Sequence, residues 1–398
     1  MMTDVIPLNA WKGQLQRDDK QGVRKNLTNL MVHLRNLAEF GKQLRFNEMT
    51  QQMEWRGDVV EDPHIIDMRL ILEREGFPPP ERDVRPAAER VARENSYNPI
   101  ADYLNGLTWD RKPRIERWMI SLLGAPDTPF VRLVSPKVLI SAVARTVTPG
   151  CKVDTVLVLE GEQGIKKSSA IAALFGEDYT AESVSLFDQH NKMVMAMMGA
   201  WVVELAEFVA IINKTSNHAT AKGLISMTKD RVVLSYAKMA STHPRRCIFF
   251  GTINPEDVGY LTDSTGNRRY WPVAVSKINI DGIRQHRDQL WAEAIDRFRA
   301  GERWWLEAEE EATAQEVQSE REEEDAWTEP LSIKLQKQGW PVEMTADQAL
   351  SMLEIPHERK SRREQNRVAR VLKALGYERT TARPVGGGKP RKVWKRSQ

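Results

Sequence analysis

Fourteen residues limit this chain's architecture more than any others. Val156 to Ser169 reads VLVLEGEQGIKKSS, an apolar run, then a glycine-bearing turn, then Lys-Ser-Ser. The run reads as a strand, and the residues after the turn open a helix. This closely matches the strand, G-x-x-x-x-G-K-[ST] and helix that cradle phosphates in nucleotide triphosphatases. Such a loop offers successive backbone N–H groups and a helix N-terminus to a polyphosphate; the lysine adds a point charge and the hydroxyl faces Mg2+. The expected binding segment is Gly161, Glu162, Gln163, Gly164, Ile165, Lys166, Lys167, Ser168 and Ser169. Lys167 takes the lysine place and Ser168 the metal-side place. Lys166 stands where the second glycine is usual, and Gly164 supplies part of the missing backbone freedom.

Three later segments fit the same reading. Trp201 to Glu207 (WVVELAE) is an apolar run ending in acids, about 35 residues beyond the loop. In an open α/β sheet an acid at a strand's C-terminal tip faces the bound metal. Glu204 is the expected metal-side carboxylate and Glu207 the group that orients or deprotonates the attacking water, with exchange of the two roles left open. A third strand, Cys247 to Asn254, ends in an amide suited to the γ-phosphate or lytic water, although Asn254-Pro255 also reads as a turn start. Thr265 to Pro272 (TGNRRYWP) then offers Arg268, with Arg269 as competitor, for a neighbouring subunit's γ-phosphate.

The constellation resembles the virulence-associated protein E family, ATPases of phages and genomic islands similar to superfamily 3 helicases of the AAA+ type. The residues that carry the likeness are Gly161–Ser169, Trp201–Glu207, Gly251–Asn254 and Thr265–Trp271. Tyr97–Leu104, Trp109-Asp110, Arg114, Ala144-Arg145 and Pro149-Gly150 add to it, so it spans roughly residues 97–275. It implies Mg2+-binding acids, a sensor amide and a finger arginine at Glu204, Glu207, Asn254 and Arg268. It also implies a basic hairpin in a central pore that holds single-stranded DNA. Here Thr228 to Lys238 alternates as a strand, with Lys229, Lys238 and His243 as the expected DNA contacts and Tyr236 as a base-stacking alternative.

Charge divides the rest. Glu307 to Glu329 holds 11 acids and one base, and reads as a solvated helix and hinge. His357 to Gln398 holds 14 Lys/Arg against three Glu. There Thr345 caps a helix, a second helix runs from Glu364 to Leu375 and stops at Gly376, and two strands flank Gly386-Gly387-Gly388. Two helices and a β-ribbon suggest a winged helix-turn-helix, with Arg362, Arg363, Arg367 and Arg370 entering duplex DNA. A disordered basic tail is the alternative. In the first hundred residues Leu27, Leu30, Met31, Leu34, Leu37 and Leu44 fit an amphipathic helix, and Pro78-Pro79-Pro80 marks a break. That region reads as a helical collar without a polymerase-type acid cluster, so a primase would be a separate protein.

With 398 residues the chain has room for several domains. The expected division is a helical domain at 1–125, an α/β AAA+ P-loop core at 126–300, an acidic linker at 301–330 and a winged-helix domain at 331–398. No apolar run approaches the roughly 18 residues of a membrane span, and Met1-Met2-Thr3-Asp4 lacks the pattern of a secretory signal. Two cysteines, Cys151 and Cys247, fit the reducing cytoplasm of a bacterial host. The resulting expectation is an ATP- and Mg2+-dependent DNA helicase of a phage or mobile element, acting as a homo-hexameric ring. Two alternatives stand beside it: a replication initiator or regulator with a degraded nucleotide site, and a DNA motor that does not separate strands.

Overall fold

Strands that are apolar at every position must be covered on both faces, which in an α/β chain means a parallel sheet flanked by helices. The structure, a computed structural model, describes residues 10–182, 184, 189–205, 208, 218–234, 239–254, 261, 266–321, 325–382 and 391–396, apart from the side chains at 218–220, 363 and 391. It divides into two units, Met1–Arg321 and Glu322–Gln398.

The first unit begins with α1 (Leu27–Asn36), β1 (Leu44–Asn47), β2 (Gln52–Trp55), β3 (Asp58–Val59), α2 (Asp62–Arg74), α3 (Glu81–Glu94) and β4 (Ser96–Tyr97). The proline run does separate α2 from α3. The region is nevertheless not purely helical, because a sheet of order β3-β2-β1-β4 underlies the helices. Leu37 and Leu44 leave the expected helix: Leu37 is extended (ψ 133°) and Leu44 opens β1.

The core continues as α4 (Pro99–Gly106), α5 (Trp118–Leu123), α6 (Pro129–Val147), β5 (Val156–Glu160), α7 (Lys167–Phe175), β6 (Thr180–Ala181), α8 (His190–Met197) and β7 (Val202–Leu205). Next come α9 (His218–Ser226), β8 (Lys229–Val232), β9 (Ser241–Pro244), β10 (Ile248–Ile253), β11 (Tyr270–Ala274), α10 (Ile280–Arg299) and α11 (Ala308–Ser319). Five parallel strands pair in the order β11-β5-β10-β7-β6, so β10 lies between the loop strand and the acid strand. Alternate side chains build two cores. Leu157, Leu159 and Phe250 pack with α6, α7 and α10, whereas Val156, Val158, Val203 and Phe249 pack with α8 and α9.

The acidic stretch does form a largely exposed helix and does contain the boundary between the two units, but the helix is seated on the core rather than free. Ala314 of α11 is buried in the first core, Gln318 (4% exposed) donates to Tyr270 O at 2.8 Å, and the first unit continues to Arg321. One apolar stripe, read at Ala314 and Val317, suffices to seat an otherwise charged helix.

The second unit contains α12 (Thr328–Gln338), β12 (Glu343–Met344), α13 (Ala346–Met352), α14 (Arg362–Ala374), β13 (Tyr377–Ala382) and β14 (Arg391–Arg396). Thr345 and Gln348 form a capping box at α13. Gly376 takes φ +82° just past α14. The antiparallel sheet has order β12-β14-β13, and Val368, Val371 and Leu372 of α14 are buried against Leu335, Leu350, Tyr377 and Trp394. Helix α12 and strand β12 add to the two helices and ribbon expected from the sequence. Among the described residues no helix is long and apolar enough to cross a membrane.

Between β7 and β10 the antiparallel pair β8/β9 is fastened by a buried ion pair. Arg245 (side chain 2% exposed) forks onto Asp230 at 2.6 and 2.9 Å and also donates to Leu224 O. Arg145, fully buried on α6, donates to Arg245 O, Val153 O and Met227 O, so both feet of the pair are held beside the approach to β5. Removing one partner of a buried pair leaves the other uncompensated. Asp230→Ala should therefore cost about 3–5 kcal/mol, read as a fall in melting temperature on the order of 10 °C.

Candidate functional site

The phosphate-loop candidate leaves the C-terminal end of β5 and is clamped at its first residue. Gly161 N–H donates to Ile253 O at 3.2 Å, tying the loop to β10. A Cβ at Gly161 would lie 2.5 Å from Ile165 Cδ1 and 2.6 Å from Val275 O, so only glycine fits. Gly164 has φ +85° and Lys166 has φ 72°, ψ 37°. Lys166 thus adopts the left-handed backbone that glycine takes freely, with its side chain exposed. It precedes α7 without giving a side-chain cap, which leaves the first-turn N–H groups as donors for an anion. Glu162, Gln163 and Ser169 are exposed, and Ile165 turns inward.

Lys167, Ser168, Glu204 and Asn254 come together. Lys167 Nζ donates to Gly161 O (2.5 Å), Glu162 O (3.0 Å) and Asn254 Oδ1 (3.3 Å). Burial lowers its pKa from the usual lysine value, and the negative charge of Glu204 opposes that shift. Ser168 Oγ donates to Glu204 Oε1 at 2.8 Å, and Thr252 Oγ1 donates to the same oxygen at 3.0 Å. Glu204 is 2% exposed, placed by the register that sets it opposite Phe250. Glu207 lies outside the described residues.

Sequence reasoning missed Thr252, although the two-residue period of a strand puts it on the same face as Asn254. The arginine turn is a 3-10 turn over Asn267–Arg269. Its two arginines differ: Arg268 is exposed, whereas Arg269 is half-buried and donates Nε to Ser226 Oγ at 3.1 Å.

The expected DNA contacts fare unevenly. Strands β8 and β9 do pair antiparallel, with Lys229 opposite Pro244 and Asp230 opposite His243. Lys229 is exposed, but at the open end of the pair. His243 is half-buried and already partnered. Its Nε2 meets Ser241 Oγ at 2.7 Å and its Nδ1 meets Gln51 Oε1 at 3.1 Å, so it braces the base of the pair against the β1–β2 turn. Burial and nearby Arg93 lower its pKa, against a weaker pull from Asp230. Tyr236 and Lys238 lie outside the described residues. In the second unit Arg362 and Arg370 are exposed, and the side chain of Arg363 is outside the description. Arg367 is half-buried and engaged within its own unit: it forks onto Asp325 at 2.8 Å and stacks over Trp327 at 4.0 Å.

Two substitutions test the loop's backbone. Gly161→Ala should destabilise by about 1–3 kcal/mol, since the added methyl meets a backbone carbonyl that cannot yield cheaply. Lys166→Gly should stabilise by about 0.5–1 kcal/mol through release of left-handed strain. Thermal unfolding reads both, and equal melting temperatures for the three proteins would contradict this geometry.

No curated protein matches the chain. Among solved structures, the A form apo structure of the NrS-1 C-terminal region is similar with a TM-score of 0.46 and 12% identity, covering 89% of this chain and 96% of that one. A second structure of that region, spanning its residues 305–718, gives the same values. The virulence-associated protein E-like domain matches residues 104–323. That span is more than half of the chain and holds the loop, the acid strand, the amide strand and the arginine turn, so the protein belongs to the virulence-associated protein E-like family.

Proposed function

We propose that this protein is an ATP- and Mg2+-dependent DNA helicase of a phage or mobile genetic element, working as a ring during replication. The observation that carries this reading is the 2.8 Å hydrogen bond between Ser168 and buried Glu204, beside Lys167 and Asn254. Four residues from three sequence segments converge at the C-terminal edge of a parallel sheet, where open α/β folds bind ligands. The loop amides and Lys167 would hold the β- and γ-phosphates. Ser168 and Glu204 would hold Mg2+, which would neutralise charge building on the transferred phosphoryl group. On binding, Lys167 would exchange the carbonyls of Gly161 and Glu162 for phosphate oxygens. Asn254, already within reach of Lys167, would report the γ-phosphate. Glu207 remains the candidate for orienting water.

Exposure favours Arg268 over Arg269 as a finger acting on a neighbouring subunit, because Arg269 is occupied by Ser226. That role is the reason for a homo-hexameric ring, since a finger needs an acceptor site on the next copy. Single-stranded DNA would run along the β8–β9 pair, with Lys238 in the connection and Lys229 at the open end as its cations. Duplex DNA would meet the second unit through Arg362, Arg363 and Arg370, in the manner of a winged helix. Primase activity would come from another protein. The setting would be the host cytoplasm.

A second reading, an initiator or regulator that binds nucleotide with little turnover, is favoured by one observation, the left-handed backbone of Lys166 where glycine is usual. ATP turnover with and without single-stranded oligonucleotide separates the two readings. The helicase reading expects DNA-stimulated turnover, with Lys167→Ala and Glu204→Gln each slower by about 100-fold or more. If Lys167→Ala turns over ATP as fast as wild type, the site is elsewhere. Mixing Arg268→Ala with Lys167→Ala subunits should restore activity at hybrid interfaces, and absence of rescue argues against a finger in trans. Loss of residues 322–398 should weaken duplex binding and flatten its salt dependence; unchanged binding removes DNA from that unit.

A further inference from the structure

The one base in the acidic stretch, Arg321, has no part in the chemistry above, yet it grips the residue from which the phosphate loop springs. Its guanidinium forks onto Glu160, Nε to Oε1 at 2.7 Å and Nη2 to Oε2 at 2.9 Å, with both side chains mostly buried (21% and 14% exposed). Its backbone carbonyl accepts from Leu261 N at 3.0 Å, and its Nη1 donates to Val317 O at 2.9 Å. Arg321 therefore joins three things: the tip of β5, the segment between β10 and β11, and the end of α11. It is also the last residue of the first unit, so the basic second unit begins at the next peptide bond.

Glu160 has no slack with respect to the loop. Its carbonyl accepts from Val275 N at 2.7 Å, and the next residue, Gly161, is wedged against Val275 O and bonded to Ile253 O. The carbonyl of Gly161 in turn accepts Lys167 Nζ at 2.5 Å. A tilt of the Glu160 side chain thus reaches the phosphate-binding lysine through two short, stiff steps.

We propose that Arg321 is a positioning residue for the phosphate loop, acting through its fork on Glu160. The inference rests on reading the loop as a nucleotide site, but its first test needs no nucleotide. Hydrogen–deuterium exchange of the full-length protein without ligand should show the bonded amides of Gly161 and Val275, which hold the loop root to β10 and to the Glu160 carbonyl, exchanging about tenfold faster in Arg321→Ala than in wild type, the loss expected for a charge-assisted hydrogen bond. Amides of α6 and α10 should be unchanged.

Where ATP is turned over, KM for ATP should rise by about tenfold with kcat within about twofold. Arg321→Lys should recover only part, because an ammonium lacks the planar fork. Glu160→Gln combined with Arg321→Ala should be no worse than Arg321→Ala alone. Unchanged exchange at Gly161 and Val275 in a folded Arg321→Ala protein overturns the proposal, as do strictly additive effects in the Glu160–Arg321 cycle. A wild type that turns over no ATP refutes the helicase reading and leaves the exchange result to decide the role of Arg321.

Discussion

A carboxyl group taken out of water needs hydrogen-bond partners, and Glu204 finds two hydroxyls. Ser168 comes from the first turn of α7 and Thr252 from β10, so one oxygen fixes loop helix, central strand and acid strand in mutual registration. The parallel pairing of β7 with β10, and of β10 with β5, sets the depth at which the three meet. Lys167 and Asn254 then fall within reach without further adjustment. The site is a by-product of sheet register as much as of loop sequence. The order β11-β5-β10-β7-β6 accordingly matters more to it than any single side chain outside it.

The parts of the fold that were legible in the sequence are those where one physical demand acts on every residue. Strands β5, β7 and β10 are buried on both faces, and their runs carry that demand openly. The loop is legible through spacing, because a lysine and a hydroxyl must sit at fixed distances from a tight turn. The N-terminal sheet was hidden by coincidence: Leu30, Leu37 and Leu44 are spaced by seven, which suits a helix, yet the chain turns after Asn36. Strands of two to four residues give too little alternation to compete with that pattern.

Charge was legible as a sum and not as a placement. Arg367 and His243 have the right chemistry for nucleic acid, but each is engaged inside its own unit, by Asp325 with Trp327 and by Ser241 with Gln51. The acidic stretch similarly conceals a seated helix and one arginine with a specific partner. Side-chain sign can be counted along a chain, whereas partner choice depends on which backbone segments the fold brings side by side. Thr252 illustrates the converse, a role that strand periodicity alone would have revealed.

The opening of α7 places two adjacent lysines, Lys166 and Lys167, at the positive end of a helix macrodipole, one of them in a backbone basin that side chains disfavour. This is local frustration concentrated in a few residues. A bound polyanion would relieve the dipole and both cations at once. Were such an anion to bind, stability and affinity would draw on the same reservoir, and a variant that smooths the helix start would trade one for the other.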